Sequence, residues 1–282
     1  MIAAISGLGL GACATTHGTV APATSTPRLI EAPPADAAAA ETASVSVAAT
    51  DPVEPLEAPR AILLLGDSKI ATDFGAALHA ELSRTRPELT VSRRGKSATG
   101  LARPDFFDWM REAELLIERH RPDVIVVAMG GNDGQDLVSL DTRTRAIAWK
   151  SDAWAPTYAA RLRAFLDLLA GERRTSLAPQ ARVRVVWTEI TAADRPRLEA
   201  KLRVIREIQR DAVAAFGPRA IYLETRAHFY DPSGALVRHV DVSGRAHALR
   251  QDDGIHFTVR GSRWLASRVA ADLRERVGLT SE

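Results

Sequence analysis

Five short apolar runs alternate with longer stretches of helical apolar spacing between residues 61 and 278, and this alternation leaves few folds open to the chain. The runs are AILLLG (61–66), LTVSRR (89–94), PDVIVVAMGG (122–131), RVRVVWTEI (182–190) and AIYLETR (220–226). Helical spacing follows at residues 71–85, 106–120, 158–172, 195–217 and 258–278. A strand that is apolar on both faces needs cover on both faces, and a helix after each strand supplies it. The expectation is an α/β domain with a five-stranded parallel sheet and helices on both sides. Two segments interrupt the alternation, residues 134–155 and 231–252. Long connections in compact domains tend to carry function, so both are expected as walls of a substrate site.

The N-terminus differs in kind. Residues 1–12, MIAAISGLGLGA, are apolar or small and stop at Cys13, the one cysteine of the chain. A disulfide within the chain is therefore ruled out. The stretch falls short of the ~20 apolar residues that cross a bilayer and fits the apolar core of a secretory signal. LGAC (10–13) resembles a bacterial lipobox, whose cysteine is lipidated, although no Lys or Arg precedes it. The expectation is an exported protein, periplasmic or lipid-anchored through Cys13, with residues 1–13 as the signal segment and the membrane engaged only through that lipid. The spacing of GLGLGA touches a dinucleotide-binding fingerprint, but no strand precedes it. Residues 14–59 are rich in Ala, Thr, Pro, Ser and Val, have Arg28 as their single basic residue and lack periodicity. They read as a flexible tether, which leaves residues 60–282 for the folded domain. From residue 60 on, 36 Lys and Arg face 29 Asp and Glu. No basic patch is interleaved with aromatics, so a nucleic-acid partner is not expected.

The first strand runs through Gly66-Asp67 into Ser68. The carboxyl end of a central strand is where open α/β sheets place their ligands, which makes Ser68 a candidate nucleophile and Asp67 a loop-fixing hydrogen-bonder. A serine hydroxyl needs a base, and the base needs a partner that fixes its tautomer. QDDGIHFT (251–258) supplies both, with Asp253 three residues before His256 in a glycine-containing turn. The same residues also fit an ordinary turn entering a helix through Thr258. Three of the other histidines lie in the tether or in helical stretches, and the rest lack a carboxylate at matching spacing; no cluster has metal-ligand spacing. Acyl transfer further needs donors aimed at an oxyanion. Asn132 in MGGND (129–133) can reach across the sheet edge, though the segment also fits a plain turn; GKSATG (95–100) offers the amide of Gly95 or Gly100, and Ser68 adds its own.

GDS after the first strand, GKSATG after the second, GGND after the third and DGIHFT before the last helix together resemble the SGNH hydrolases, also called the GDSL family. The longer stretches SATGLARPDFFDW, SDAWAPTY and LRQDDGIHFTVRG are similar to its bacterial envelope branch, the DUF459 domain, and the likeness spans about residues 60–278. The resemblance implies a three-layer α/β/α, flavodoxin-like fold. It makes Ser68 the nucleophile, His256 the general base and then acid, and Asp253 the group that orients His256. Asn132 and the Ser68 amide would form the oxyanion hole. The family's second-block glycine falls near Ala98, and Gly100 is taken as its nearest counterpart ahead of Gly95. The implied function is a serine ester hydrolase without cofactor or metal, acting on an acylated glycan of the cell envelope or a small ester through an acyl-serine. The same triad would serve an O-acyltransferase, and a non-catalytic envelope-binding module would keep the fold without needing all four site residues. Trp109, Trp154 and Tyr158 are expected to stack on a sugar.

Overall fold

The computed structural model describes residues 59–138, 146–171 and 183–278. The expected signal segment with Cys13, and all but the last residue of the expected tether, lie outside them. In chain order the elements are β1 (Ala61–Gly66), α1 (Ser68–Ala71), α2 (Asp73–Thr85), β2 (Thr90–Gly95), α3 (Trp109–His120), β3 (Val124–Ala128), β4 (Leu137–Val138), β5 (Ala146–Ile147) and α4 (Trp154–Leu169). There follow β6 (Arg184–Thr188), α5 (Pro196–Phe216), β7 (Ala220–Leu223), a 3-10 turn (Arg226–Phe229), β8 (His239–Val242), β9 (Arg245–Ala248) and α6 (Val259–Val277).

The five long strands form one parallel sheet in the order β2-β1-β3-β6-β7. The chain leaves β1 toward β2 and then crosses back to β3, so the order reverses between β1 and β3. At such a switch point the loops diverge and open a crevice at the carboxyl ends of the strands. Alternation along each strand divides the core in two. Leu63, Leu65, Ile125, Val127, Val185 and Trp187 face α3, α4 and α5. Ile62, Leu64, Val124, Val126 and Val186 face α2 and α6. Every residue of β3 and β6 is buried, and accordingly β3 reads as an unbroken apolar run and β6 as Val185-Val186-Trp187 between Arg184 and Thr188. Burying one such Leu or Val side chain contributes roughly 1.5–3 kcal/mol, and two continuous layers of them fix the sheet on which the loops stand. β2 lies at the edge and keeps polar residues in TVSRRG.

Close approach dictates two strand-end glycines. A Cβ on Gly66 would lie 2.1 Å from the Ala128 carbonyl oxygen, and one on Gly95 would lie 2.1 Å from the Ala71 nitrogen. Both allow α1 to fold tightly over the sheet edge directly after β1. Two connections differ from expectation. α4 begins at Trp154, so the second half of SDAWAPTY is helical. Residues 231–252 contain the hairpin β8–β9, closed by Ser243 and Gly244 with φ of 56° and 77°, the paired left-handed backbone of a two-residue hairpin loop. No helix among the described residues is long and apolar enough to cross a membrane.

Candidate active site

Ser68 opens α1 at the switch point, separated from the end of β1 by Asp67 alone. Asp67 fixes this corner. Its Oδ1 accepts the Lys69 amide (3.0 Å), its Oδ2 accepts the Gly131 amide (3.2 Å), and the side chain is buried. Burial raises the Asp67 pKa, while the amide hydrogen bonds and the Lys69 ammonium oppose the rise. Asp67 thus ties the end of β1 to the loop after β3.

Ser68 Oγ lies 3.2 Å from His256 Nε2, and Nδ1 of the same ring lies 2.6 Å from Asp253 Oδ2. Asp253 Oδ1 accepts the amides of Ile255 (2.8 Å) and His256 (2.9 Å), so the carboxylate shapes the turn that carries the histidine. Burial pushes the Asp253 carboxyl up. The bond to the His256 ring, the two amides and the charge on His256 outweigh this and hold it at about 2. An ionised Asp253 accepts only, so Nδ1 carries the ring proton and Nε2 is left to accept from the Ser68 hydroxyl.

The turn is held from several sides. Gly254 adopts φ +68°, and a Cβ there would come within 2.8 Å of the Asp194 carbonyl oxygen. Asp194 N donates to Gly254 O at 2.8 Å. Arg195, in the loop after β6, donates from Nε to Asp253 O (2.7 Å) and from Nη2 to Asp252 O (2.9 Å). From the opposite side Lys69 Nζ donates to Ile255 O at 2.8 Å. Sequence reasoning missed both cations. Arg195 lies 58 residues from the turn and left no local signal, whereas Lys69 was visible as a charge set among apolar residues directly after the nucleophile.

Asn132 projects its amide toward the loop after β2, donating from Nδ2 to Thr99 O at 3.0 Å. Thr99 is fixed in turn, its hydroxyl donating to Lys96 O (2.6 Å) and accepting from Trp109 Nε1 (3.0 Å). The neighbouring Asp133 points inward. Its Oδ1 accepts the Ala102 amide (2.8 Å), and its Oδ2 accepts the Tyr158 hydroxyl (2.8 Å). Gln209 Nε2 donates to the Tyr158 oxygen (3.1 Å) and to Met129 O (3.2 Å). Burial pushes Asp133 up to about 6 against these hydrogen bonds, with nearby Asp67 adding to the rise. GGND therefore sends one side chain to the loop after β2 and the next into the core.

The expectation for the aromatics requires correction. Trp109, Trp154 and Tyr158 are 2%, 1% and 0% exposed, so none of them presents a face to a sugar. Trp109 holds Thr99, Trp154 Nε1 donates to Gln135 O (2.7 Å) and stacks on Tyr158, and Tyr158 holds Asp133. They support the site loops from inside. Gly100 is accounted for by packing, since a Cβ there would lie 2.1 Å from Asp133 Oδ1. The left-handed backbone in that loop belongs to Ala98 (φ 61°), at the place where the resemblance puts the family's glycine.

Residues 61–272 match the model of a family described as a protein of unknown function, DUF459. No curated protein matches the chain by sequence. Among solved structures, a protein described as a GDSL-like lipase from Bacteroides ovatus superposes with a TM-score of 0.52 at 11% identity, over 79% of this chain and 55% of that one. A member of the lipolytic G-D-S-L family from Veillonella parvula gives 0.50 at 14% identity, over 77% and 99%. A carbohydrate acetylesterase from Sinorhizobium meliloti gives 0.49 at 14% identity, over 77% and 99%. At such identities the likeness is one of fold.

Proposed function

Because the chain belongs to the DUF459 family, we propose that the aligned Ser68, His256 and Asp253 make it a serine esterase, which removes an acyl group from a carbohydrate hydroxyl through an acyl-Ser68 intermediate. The observation that carries this reading is the unbroken hydrogen-bonded line from Ser68 Oγ to His256 Nε2 (3.2 Å) and from His256 Nδ1 to Asp253 Oδ2 (2.6 Å). Ser68 Oγ attacks the ester carbonyl while His256 Nε2 takes its proton. Asp253 keeps Nδ1 protonated and stabilises the imidazolium that forms. The negative charge moves to the carbonyl oxygen, where the Ser68 amide and Asn132 Nδ2 are the donors. As the tetrahedral intermediate collapses, His256 returns the proton to the departing alkoxide. Water then repeats the sequence on the acyl-serine, giving the free acid and restoring Ser68.

The rim of the site favours water as the acceptor. The side chains of His256 and Asp253 are 37% and 41% exposed, so solvent reaches the acyl-enzyme. An export signal ending at Cys13 puts a cell-envelope glycan within reach.

A fluorophosphonate probe is expected to label Ser68 in the parent and to leave Ser68→Ala unmodified. On p-nitrophenyl acetate and on an acetylated oligosaccharide, Ser68→Ala should lose at least about 10³-fold in kcat, His256→Ala nearly as much, and Asp253→Asn the same or less. Acetate release should match the ester consumed. Transfer of the acetyl to an added sugar in its place would make the protein an acyltransferase, and undiminished turnover by Ser68→Ala would remove the serine mechanism altogether.

A further inference from the structure

We infer that Lys69 is a positioning residue that keeps the general base His256 in line with Ser68 by gripping the chain on both sides of it, an inference that rests on the esterase reading above. Lys69 Nζ donates to the carbonyl of Ile255, the residue before His256, at 2.8 Å. The same ammonium stands 4.7 Å from the ring centre of Phe257, the residue after it. Phe257 is a firm anchor. It is buried, its ring stacks on Phe229 with centroids 5.7 Å apart, and the Arg250 guanidinium faces it at 5.2 Å. At its other end Lys69 is covalently joined to the nucleophile and donates its amide to Asp67 Oδ1 at 3.0 Å. One residue thus connects the chain beside the nucleophile to the chain on either side of the base.

α1 has only four residues, so its place depends on its contacts rather than on its own helix bonds. Arg195 holds the histidine turn from the loop after β6 and leaves its distance to α1 free. Among the described residues, Lys69 is the side chain of α1 other than Ser68 that hydrogen-bonds to the turn. An apolar residue at this position would fill the space, yet it would leave the Ile255 carbonyl without its donor.

The charge on Lys69 matters to the strength of the grip. Burial pushes its ammonium down to about 8, with Arg250 assisting, while the carboxylates of Asp67 and Asp253 hold the proton on. Below that pH the carbonyl bond is charge-assisted and the ring attraction is present. Above it the neutral amine still donates a hydrogen bond, but both charge-dependent contributions are lost. The turnover number is therefore expected to fall as pH rises through about 8.

The test compares the parent, Lys69→Met and Lys69→Arg on p-nitrophenyl acetate between pH 6 and 10, with the uncatalysed rate subtracted and folding checked by circular dichroism. Lys69→Met should lower kcat at pH 7 by about tenfold with KM within twofold, and its kcat should no longer fall above pH 8. Lys69→Arg should retain kcat within about threefold and likewise lose the alkaline fall, since a guanidinium does not titrate there. A lowered kcat in Lys69→Met with the alkaline fall intact would reduce Lys69 to a packing residue and overturn the inference. So would a parent whose kcat is level from pH 7 to 10, a result that stands even if neither variant folds. A parent whose Ser68 is labelled by fluorophosphonate, paired with an indifferent Lys69→Met, overturns this inference alone. A parent that neither labels nor turns over ester overturns the esterase reading, and this inference with it.

Discussion

On the proposed esterase mechanism, much rests on the single side-chain amide of Asn132. Its Nδ2 carries two hydrogens, and the Thr99 carbonyl takes one of them at 3.0 Å, which fixes the plane of the amide; on that mechanism the second hydrogen is the one an incoming oxyanion accepts. A donor already oriented costs nothing to reorganise when charge develops, which is the source of oxyanion-hole catalysis. Asn132→Ala is therefore expected to lower kcat by roughly 10²-fold or more, with KM for a small ester little changed, in steady-state assays at pH 7. A rate within threefold of the parent would take Asn132 out of the mechanism. At this scale Ser68, Asp253 and His256 were legible because the chemistry that joins Asp253 to His256 is local, a three-residue reach within one turn. The aromatics were not. Spacing alone cannot distinguish a Trp that lines a cleft from one whose indole N–H has a buried acceptor, and Trp109 and Trp154 are of the second kind.

The turn over residues 251–256 is the element on which the geometry of the site depends most, and much of its support comes from elsewhere in the chain. Arg195 donates to two of its carbonyls from a solvent-exposed position. Hydrogen bonds from a charged group contribute roughly 1.5–3 kcal/mol when fully expressed, and exposure reduces that. Near the lower end this corresponds to about tenfold in rate. Arg195→Ala should accordingly lower kcat about tenfold while the melting temperature stays within a few degrees, because water can solvate the freed carbonyls. Faster amide hydrogen exchange at residues 252–256 should accompany the loss. A variant with unchanged kcat and unchanged exchange would show that the turn is held without help from Arg195. The element boundaries follow the same division between local and distant causes. β1, β3 and β6 were plain in the sequence because both faces of each strand are buried. The start of α4 at Trp154 was hidden because Trp154 and Tyr158 are drawn inward by Gln135 and Asp133. The hairpin β8–β9 rests on the Ser243-Gly244 turn within a stretch of mixed polarity, where no run of apolar residues announces a strand.

Across the whole molecule, the alternation of apolar runs was enough to specify a parallel sheet covered by helices on both faces, whereas the flavodoxin-like order of its strands, and with it the crevice at the switch point, was implied only by the family resemblance. The buried polar network beneath that crevice was not legible, because its members, Asp133, Tyr158 and Gln209, come from three separate elements. This network has a thermodynamic consequence. Asp133 is raised to about 6 in the folded chain from an ordinary value of 3.8, so between those limits the native state binds more protons than the unfolded state. Stability then declines as pH rises from about 4 through 6, and a shift of this size corresponds to about 3 kcal/mol by pH 7. Asp253 acts in the opposite sense and in another window. Held at about 2, it contributes stability above about 4 that is lost as pH falls through 2, by an amount its exposure keeps small. The difference in unfolding free energy between the parent and Asp133→Asn, from urea denaturation at pH 4 and pH 7, isolates the first effect. It cancels the titrating groups that do not interact with Asp133 and any fixed cost of the substitution. Relative to Asp133→Asn, the parent should be less stable at pH 7 than at pH 4 by roughly 2 kcal/mol, because at pH 4 the unfolded carboxyl is already partly ionised. A difference that stays flat across that range would mean that the hydrogen bonds from Ala102 and Tyr158 fully offset the burial of the carboxylate, and that the network holds the site loops together at no cost in stability.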